Sequence, residues 1–229
     1  MKISAVLLDL DGTLVDTAPD LVAALNTLLV RHQRPLAPFA IARNEVSNGA
    51  LGLIRLGFGA AYTAAQSEDL RREFLEIYGS QVAVKSCVFN GIREILNDLS
   101  DYGPRWGIVT NKPGALTTPL LEALRLRDPP ACVISGDRLP QRKPDPAPLL
   151  LAARELGVPA GRCVYVGDAQ RDIDAGHAAG MGTIAVTYGY IRPHQDPYSW
   201  GADCVIRRPN ELLDAVKQLE TKPQAHVAS

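Results

Sequence analysis

The sequence lacks the excess of basic residues that a nucleic-acid-binding protein usually carries. Its 24 Lys and Arg residues are balanced by 25 Asp and Glu residues, so the formal net charge is −1. Without a positive surplus we expect no nucleic-acid partner. Long hydrophobic runs are also missing. The longest apolar stretches, such as residues 21–30, are interrupted by Asn26 and Thr27 and are too short to span a bilayer. We therefore expect no membrane partner.

Cysteine is scarce, and none of the four residues forms a C-x-x-C motif. Cys132 and Cys163 fall inside apolar, strand-like runs, where a reduced and buried thiol is expected. The chain begins with Met1-Lys2 and runs directly into an apolar segment, so we expect no signal peptide. These features predict a cytoplasmic protein. Internal repeats and low-complexity segments are absent from the sequence.

The composition is that of a globular protein with a sizeable core. Of the 229 residues, 46% are hydrophobic and 21% are charged, which suits one large domain or a core with a smaller insertion. From residue 39 to about residue 84 we find only helical patterns, the last of which starts at Ser67. From Cys87 onward the pattern alternates between helix and strand, with strands expected at 106–109, 131–134, 163–166, 183–186 and 204–206.

This alternation predicts an α/β fold with a parallel sheet covered by helices on both faces. We assign residues 1–15 and 86–229 to this core and residues 16–85 to an inserted all-helical domain. The segments around Asp16 and Lys85 are the expected hinges between the two.

The stretch from Ser4 to Thr17 holds the strongest chemical signal. Its apolar run is typical of a strand buried on both faces, and it leads directly into Asp9 and Asp11. Side chains two apart on a strand share a face, and Gly12 would let the chain turn sharply as it leaves the sheet. Two carboxylates this close repel each other unless a cation or a shared proton holds them. The pattern therefore indicates a metal-assisted nucleophile with an acid/base partner.

Three further polar features end predicted strands or lie beside them: Thr110-Asn111, Lys143-Pro144, and Gly167-Asp168 with Asp172. Each alone is readily explained as a helix cap, a turn or a solvated loop. Because the carboxyl ends of parallel strands converge at one edge of a sheet, we expect all three to meet the first motif in a single site.

The segments D-L-D-G-T-L-V-D-T, T-N, K-P-D and G-D-x-x-x-D together resemble the haloacid dehalogenase superfamily, in its phosphatase branch. The motifs stand in family order and span most of the chain. The resemblance implies a Rossmann-like core, and the predicted helical insertion matches the position of the family's cap domain. The second aspartate, Asp11, separates the phosphatases from the dehalogenases, which release halide and need neither a proton nor a metal. The membrane-spanning ATPase branch does not fit a chain without spans.

The resemblance also implies roles for the residues that react with the substrate. Asp9 would be the nucleophile that forms an aspartyl-phosphate. Asp11 would protonate the leaving alkoxide and then deprotonate the water that hydrolyses the intermediate. Thr110 and Asn111 would hydrogen-bond phosphoryl oxygens, and Lys143 would offset the negative charge of Asp9 and the phosphoryl group.

A magnesium ion is the cofactor that the resemblance implies. Asp9, the backbone carbonyl of Asp11 and Asp168 would hold it, since Mg²⁺ prefers oxygen ligands. Asp172 would either support the metal through other groups or ligate it directly.

The expected partner is a small phosphate ester, and the cap would select it. The turn V-S-N-G-A would close over the leaving group, with Asn48 and Gly49 near the substrate, while Arg43 and Arg55 could meet a substrate carboxylate. The segments T-A-P-D-L and N-G-A resemble 2-phosphoglycolate phosphatases. By contrast, L-R-R-E-F-L-E-I-Y, W-G-I-V-T-N-K-P and Y-G-Y-I-R-P-H-Q-D-P-Y-S-W-G-A-D are similar to bacterial N-acetylmuramic acid 6-phosphate phosphatases. Both substrates carry a carboxylate.

Two other functions stay open at this stage. A sugar-phosphate mutase keeps the same motifs, but it needs an activating bisphosphate and cap groups that we do not identify in the sequence. A binding protein without turnover would typically have lost one of Asp9, Asp11, Lys143 or Asp168, and all four are present. The sequence is compatible with a monomer or a homodimer.

Overall fold

A computed structural model describes residues 2–59 and 64–221 of the chain. In chain order, its helices and strands are β1 (Ala5–Leu8), β2 (Val15–Asp16), α1 (Ala18–Arg31), α2 (Phe39–Ala42), α3 (Gly49–Phe58), α4 (Ala64–Ser80), β3 (Cys87–Val88), α5 (Ile92–Tyr102), β4 (Arg105–Val109), α6 (Gly114–Leu124), β5 (Val133–Ile134), α7 (Ala147–Leu156), β6 (Cys163–Gly167), α8 (Gln170–Ala178), β7 (Gly182–Val186), β8 (Cys204–Ile206) and α9 (Leu212–Thr221).

Six of these strands form one parallel sheet in the order β5-β4-β1-β6-β7-β8. The central strand β1 is fully buried, and alternate side chains enter different apolar clusters. Val6 and Leu8 pack with residues of α5, α6 and α9, whereas Ala5 and Leu7 pack with residues of α7 and α8. Successive side chains of a strand point to opposite faces, so helices cover both faces of the sheet. The predicted fold class is confirmed.

Helices α1, α3 and α4 build most of a third apolar cluster, which Leu116 of α6 and Tyr190 of the loop after β7 also join. Its fully buried members include Leu25 and Leu28 of α1, Leu53 of α3 and Phe74 of α4. Burial of each such side chain contributes roughly 1.5–3 kcal/mol. This helical layer, which we call the cap, therefore has its own core. Within the described residues its helices all lie between β2 and β3 in the chain.

The cap is joined to the sheet through a short strand pair that the sequence did not predict. β2 and β3 are antiparallel, with Val15 opposite Val88 and Asp16 opposite Cys87. Strands of two residues carry no readable periodicity, which is why the pattern predicted hinges here but no strands.

Asp20 in the first turn of α1 holds in place the second chain connection between cap and sheet, at Lys85 and Ser86. Its carboxylate accepts hydrogen bonds from the backbone N–H groups of Lys85 and Ser86 and from the Ser86 hydroxyl, at 2.6–3.0 Å. Asp20 is buried, so these three donors satisfy a carboxylate that would otherwise be costly to bury. Both chain connections to the cap are therefore fixed by hydrogen bonds.

One predicted helix start was wrong. Helix α4 begins at Ala64, so Ser67 lies inside it rather than at its first residue. Alanine has the highest helix propensity, which lets the helix extend past the serine. The five strands predicted after Cys87 are all present, with ends that shift by at most two residues.

Two smaller predictions can also be compared with the structure. Cys132 and Cys163 are buried free thiols, as predicted. Across residues 2–59 and 64–221, no helix has both the length and the apolar character needed to cross a membrane.

Candidate active site

The carboxyl ends of three neighbouring strands bring the predicted motifs together. Leu8 at the end of β1 is in register with both β4 and β6, so Asp9, Thr110 and Asp168 follow at the same edge of the sheet. Strands β4 and β5 lie on one side of β1, and β6 to β8 lie on the other. This change of direction creates the crevice in which open α/β sheets bind ligands.

A tight turn follows Asp11 and places the first motif against Asp168. Gly12 has a φ of 90°, and its N–H donates to the carbonyl of Val15 at 3.0 Å. A Cβ at this position would overlap the Asp168 carboxylate. Glycine is therefore required both for the left-handed backbone and for the close approach.

Three buried carboxylates form the acidic part of the site. Asp9, Asp168 and Asp172 each offer one oxygen, and these oxygens lie within 4.8 Å of one another. Asp168 Oδ2 accepts hydrogen bonds from the Ser47 hydroxyl and the Tyr190 N–H, both at 2.8 Å, whereas Asp168 Oδ1 is buried without a partner among the described residues.

Lys143 is the cation at the centre of this cluster. Its Nζ lies 2.7 Å from Asp9 Oδ1 and 2.8 Å from Asp172 Oδ1, and it donates to the Tyr165 hydroxyl at 2.6 Å and the Val109 carbonyl at 3.1 Å. The Lys143 side chain is 1% exposed, so its charge acts in a medium of low dielectric constant, where ion pairs are strong.

The cluster holds more negative charge than its buried lysine balances. The pKa of Asp9 is raised to about 6. Burial is the main cause; the charge of Lys143 lowers this pKa, and the charge of Asp172 raises it. Burial raises the pKa of Asp168 to about 7, with the charges of Asp9 and Asp172 adding to the rise. Burial alone would lower the pKa of Lys143, but Asp172 and Asp9 raise it above its ordinary value, so the lysine stays charged.

These residues fit a divalent cation. The unpartnered Asp168 Oδ1 and the excess of carboxylates supply the oxygen ligands and the negative charge that Mg²⁺ requires. Asp172 Oδ2 accepts from the Ala169 N–H at 3.1 Å, whereas Asp172 Oδ1 lies 2.8 Å from Lys143 Nζ and is buried without a hydrogen-bond partner among the described residues. Support of the site and direct ligation of the metal therefore both stay predictions for Asp172.

The Thr110-Asn111 pair lies at the end of β4 and is linked to the lysine loop. Asn111 Nδ2 donates to the Lys143 carbonyl, and Asn111 Oδ1 accepts from the Lys143 N–H, both at 3.1 Å. The Thr110 hydroxyl accepts from the Lys112 N–H at 3.1 Å. Asn111 therefore fixes the backbone of Lys143, and it also lines the cavity described below.

Asp11 lies above the buried cluster and is partly exposed. Its Oδ1 accepts from the Thr17 hydroxyl at 2.6 Å and from Lys112 Nζ at 3.1 Å. Lys112 also contacts the hydroxyl of Tyr78, on cap helix α4, at 3.0 Å. Asp11 is thus held by Thr17, which directly precedes cap helix α1, and by Lys112, which also contacts Tyr78 of the cap.

The site opens on a cavity of about 360 Å³ between the sheet edge and the cap. Asp9, Asp11, Thr110 and Lys143 line it together with further cations and apolar cap residues, namely Arg71, Arg142, Arg171, Lys112, Val46, Leu51, Phe74 and Leu75. The cations outnumber the two carboxylates, which suits an anionic ligand.

Comparisons with known proteins agree with this geometry. A model of the haloacid dehalogenase-like hydrolases matches residues 6–186. The chain belongs to this family. It is 40% identical over 216 residues to an N-acetylmuramic acid 6-phosphate phosphatase of Pseudomonas aeruginosa, covering 94% of this chain and 96% of the relative. It is 43% identical over 210 residues to a phosphoglycolate phosphatase of Xanthomonas campestris, covering 92% and 95%.

Comparison with solved structures supports the same family assignment. A crystal structure described as a predicted phosphoglycolate phosphatase from Haemophilus somnus superimposes with a TM-score of 0.83 at 27% identity, covering 93% of this chain and 98% of that one. The resemblance stated from the motifs is confirmed, as is the prediction of a phosphatase.

Of the four cap residues predicted to lie near the substrate, two line the cavity and two do not. Asn48 and Gly49 line the cavity, as expected of residues near a substrate. Arg43 does not line it, and its guanidinium donates to the carbonyls of Gly189 and Tyr188 at 3.0 and 3.2 Å. Arg43 therefore joins the cap to the core in this structure, and its contact with a substrate carboxylate stays a prediction. Arg55 is exposed and also lies outside the cavity.

The sequence did not predict the contacts with the motifs made by Ser47, Tyr78, Lys112 and Tyr190, although Ser47 belongs to the V-S-N-G-A turn expected to close over the leaving group. Lys112 directly follows Thr110-Asn111, so its place in the chain was a usable signal. The other three reach the site from the cap or from the loop after β7. A single sequence carries no signal for those contacts.

Proposed function

We propose that the protein is a Mg²⁺-dependent phosphomonoester hydrolase that acts through an aspartyl-phosphate on Asp9. The observation that carries this proposal is the buried pair of Asp9 and Lys143 beside Asp168, which opens on a cavity with additional cations. A phosphoryl group carries negative charge, and these cations would hold it against the carboxylate that attacks it.

In the first half of the reaction, Asp9 attacks phosphorus and the bond to the ester oxygen breaks. Asp9 Oδ1 is held by Lys143 at 2.7 Å, which leaves its second oxygen for attack. Asp11 gives a proton to the leaving alkoxide. Asp11 must enter this step protonated, with the proton on Oδ2, because Thr17 and Lys112 both donate to Oδ1 and hold the carboxyl group in place.

In the second half, water cleaves the aspartyl-phosphate and regenerates Asp9. Asp11, now ionised, takes a proton from that water. Its side chain is 19% exposed, so it is accessible to both the leaving group and the water. When bound, Mg²⁺ would neutralise charge between the carboxylate and the phosphoryl group.

Within the carboxylated substrates, the cavity favours N-acetylmuramic acid 6-phosphate over 2-phosphoglycolate. Its volume of about 360 Å³ lies within the roughly 300–1,000 Å³ typical of sites for larger small-molecule ligands. Leu51, Phe74 and Leu75 add apolar surface, which a two-carbon phosphate could not use. Arg142, and Arg71 with its neighbouring partner Glu68 at 2.8 Å, supply cations for a carboxylate.

We further propose that residues 16–85 move as one unit about the β2–β3 pair. The apolar cluster that α1, α3 and α4 share supports movement as a unit, although Leu116 and Tyr190 of the core also pack into it, and the short strand pair offers a narrow connection. Docking of this unit would exclude bulk water from the aspartyl-phosphate.

The test is phosphate release, with Mg²⁺, from N-acetylmuramic acid 6-phosphate, 2-phosphoglycolate and several hexose phosphates. We expect kcat/KM for the amino-sugar phosphate to be about a hundredfold higher, a difference of about 2.7 kcal/mol. A similar preference for 2-phosphoglycolate would overturn the substrate assignment while keeping the chemistry.

Asp9→Asn should abolish release, with exposed Asp174→Asn as the matched control on α8. Retained activity in Asp9→Asn would remove Asp9 as the nucleophile. Interconversion of sugar phosphates without net phosphate release would indicate a mutase instead.

A further inference from the structure

One short segment of the cap reaches past the substrate cavity to the predicted metal site. Residues Arg43–Asn48 form a 3-10 helix, and three of its side chains at alternate positions contact the core. Arg43 donates to the carbonyls of Tyr188 and Gly189, Glu45 pairs with Arg192, and Ser47 donates to Asp168 Oδ2 at 2.8 Å.

The contact from Ser47 determines which oxygen of Asp168 is available. Asp168 Oδ2 accepts from the Ser47 hydroxyl and from the Tyr190 N–H, both at 2.8 Å. Asp168 Oδ1 is buried and has no partner among the described residues. Two donors on one oxygen fix the rotation of the carboxylate and present the other oxygen to a ligand.

Tyr190 connects the same carboxylate to the start of the cap. Its ring lies under the Arg43 guanidinium, with 4.9 Å between the guanidinium carbon and the ring centroid. Its hydroxyl accepts from the N–H groups of Thr17 and Ala18 and donates to Asp16, at 2.6–2.9 Å. One donor to Asp168 Oδ2, Ser47, is therefore a cap residue. The other donor, Tyr190, is held by Arg43 of the cap and by the chain connection that leads into α1.

We propose that Ser47 is a positioning residue for the metal-binding oxygen of Asp168, so that metal binding and docking of the Arg43–Asn48 segment stabilise each other. This inference rests on the proposed function, because it needs Mg²⁺ at Asp168. Coupling between two binding events is reciprocal. A metal ion that holds Asp168 in this orientation therefore favours the docked cap, and the docked cap strengthens metal binding to the same extent.

The direct test is calorimetric titration of Mn²⁺ and Mg²⁺ into the full chain without substrate. We expect Ser47→Ala to weaken binding about 10–100-fold, as loss of such supporting contacts typically does, and Ser47→Thr, which keeps a hydroxyl, to restore most of the affinity. Ser100→Ala, at an exposed position of α5, is the matched control. Thermal melts without metal check that the variants are folded.

Hydrogen exchange supplies a second readout that activity does not influence. Mg²⁺ should slow amide exchange in residues 43–48 of the wild-type protein and leave it unchanged in Ser47→Ala. Wild-type metal affinity in Ser47→Ala would overturn the inference and leave the proposed function intact. A wild-type protein that binds no metal would instead overturn the metal site of the proposed function, and the inference with it.

Discussion

Replacing Lys143 with methionine tests whether the charge balance of the buried cluster stabilises the fold. Lys143 Nζ lies 2.7 Å from Asp9 Oδ1 and 2.8 Å from Asp172 Oδ1, and the side chain is 1% exposed. Methionine fills a similar volume but leaves two buried carboxylates without their shared cation. Removing one partner of a buried ion pair costs about 3–5 kcal/mol. At about 2–4 °C per kcal/mol for a chain of this size, Tm should fall by roughly 6–20 °C at pH 8.

The loss of stability should shrink at low pH, because a protonated carboxyl group needs no cation. The pKa of Asp9 is about 6 even with Lys143 present, so at pH 5 most of this group is already neutral in the wild-type protein. The free energy of unfolding, measured by guanidinium denaturation at pH 5 and pH 8, should therefore differ less between wild type and Lys143→Met at the lower pH.

A double variant and a surface control make this prediction refutable. Lys143→Met combined with Asp172→Asn should recover part of the loss at pH 8, because it removes one of the two uncompensated charges. Lys217→Met is the control, since Lys217 is 74% exposed and its pair with Asp214 spans 3.5 Å. Surface pairs contribute little. An equal loss at both pH values, or no recovery in the double variant, would show that charge balance is not the cause.

Other contacts of the site make distinct predictions. Asp11→Asn should lower kcat/KM, which reports formation of the aspartyl-phosphate, far more for alkyl phosphates than for an aryl phosphate, whose leaving group needs no proton; an equal loss of kcat/KM for both would remove Asp11 as the general acid. Tyr78→Phe removes only the hydroxyl on Lys112 and should lower kcat/KM about tenfold for the alkyl ester, with little change for the aryl ester; an unchanged kcat/KM for both would contradict this. Mg²⁺ should raise Tm more at pH 8 than at pH 5. The raised pKa values of Asp9 (about 6) and Asp168 (about 7) make the metal-free fold lose stability as pH rises from 3.8 through these values. Equal shifts in thermal melts at both pH values would contradict it.

The sheet could be predicted from the sequence because its signals are local. The apolar run of β1 and the alternation after Cys87 follow from a parallel sheet that is buried on both faces. The β2–β3 pair could not be predicted in the same way. It joins Val15 to Val88 across more than 70 residues, and two-residue strands carry no pattern of their own.

The site was predictable to the extent that it is built from strand ends. Asp9, Thr110 and Asp168 follow strands that are neighbours in the sheet, so the topology alone places them together. The contacts of Arg43 could not be predicted, because charge and position in the cap do not reveal which way a side chain points. Two backbone carbonyls of the loop after β7 bind its guanidinium, and only the tertiary structure brings them near.

Two cap residues whose contacts the sequence did not predict, Ser47 and Tyr78, connect the cap to carboxylates of the site rather than to the substrate cavity alone. Ser47 contacts Asp168 directly, and Tyr78 contacts Asp11 through Lys112. These two cap residues lie on different elements, yet each leads to a carboxylate that the proposed chemistry needs. A cap that only covered the substrate would contact the substrate alone, and its variants would change KM. If the cap also orients Asp168 and Asp11, removing the contacts of Ser47 and Tyr78 should change metal affinity and kcat, even in variants that leave the cavity unaltered.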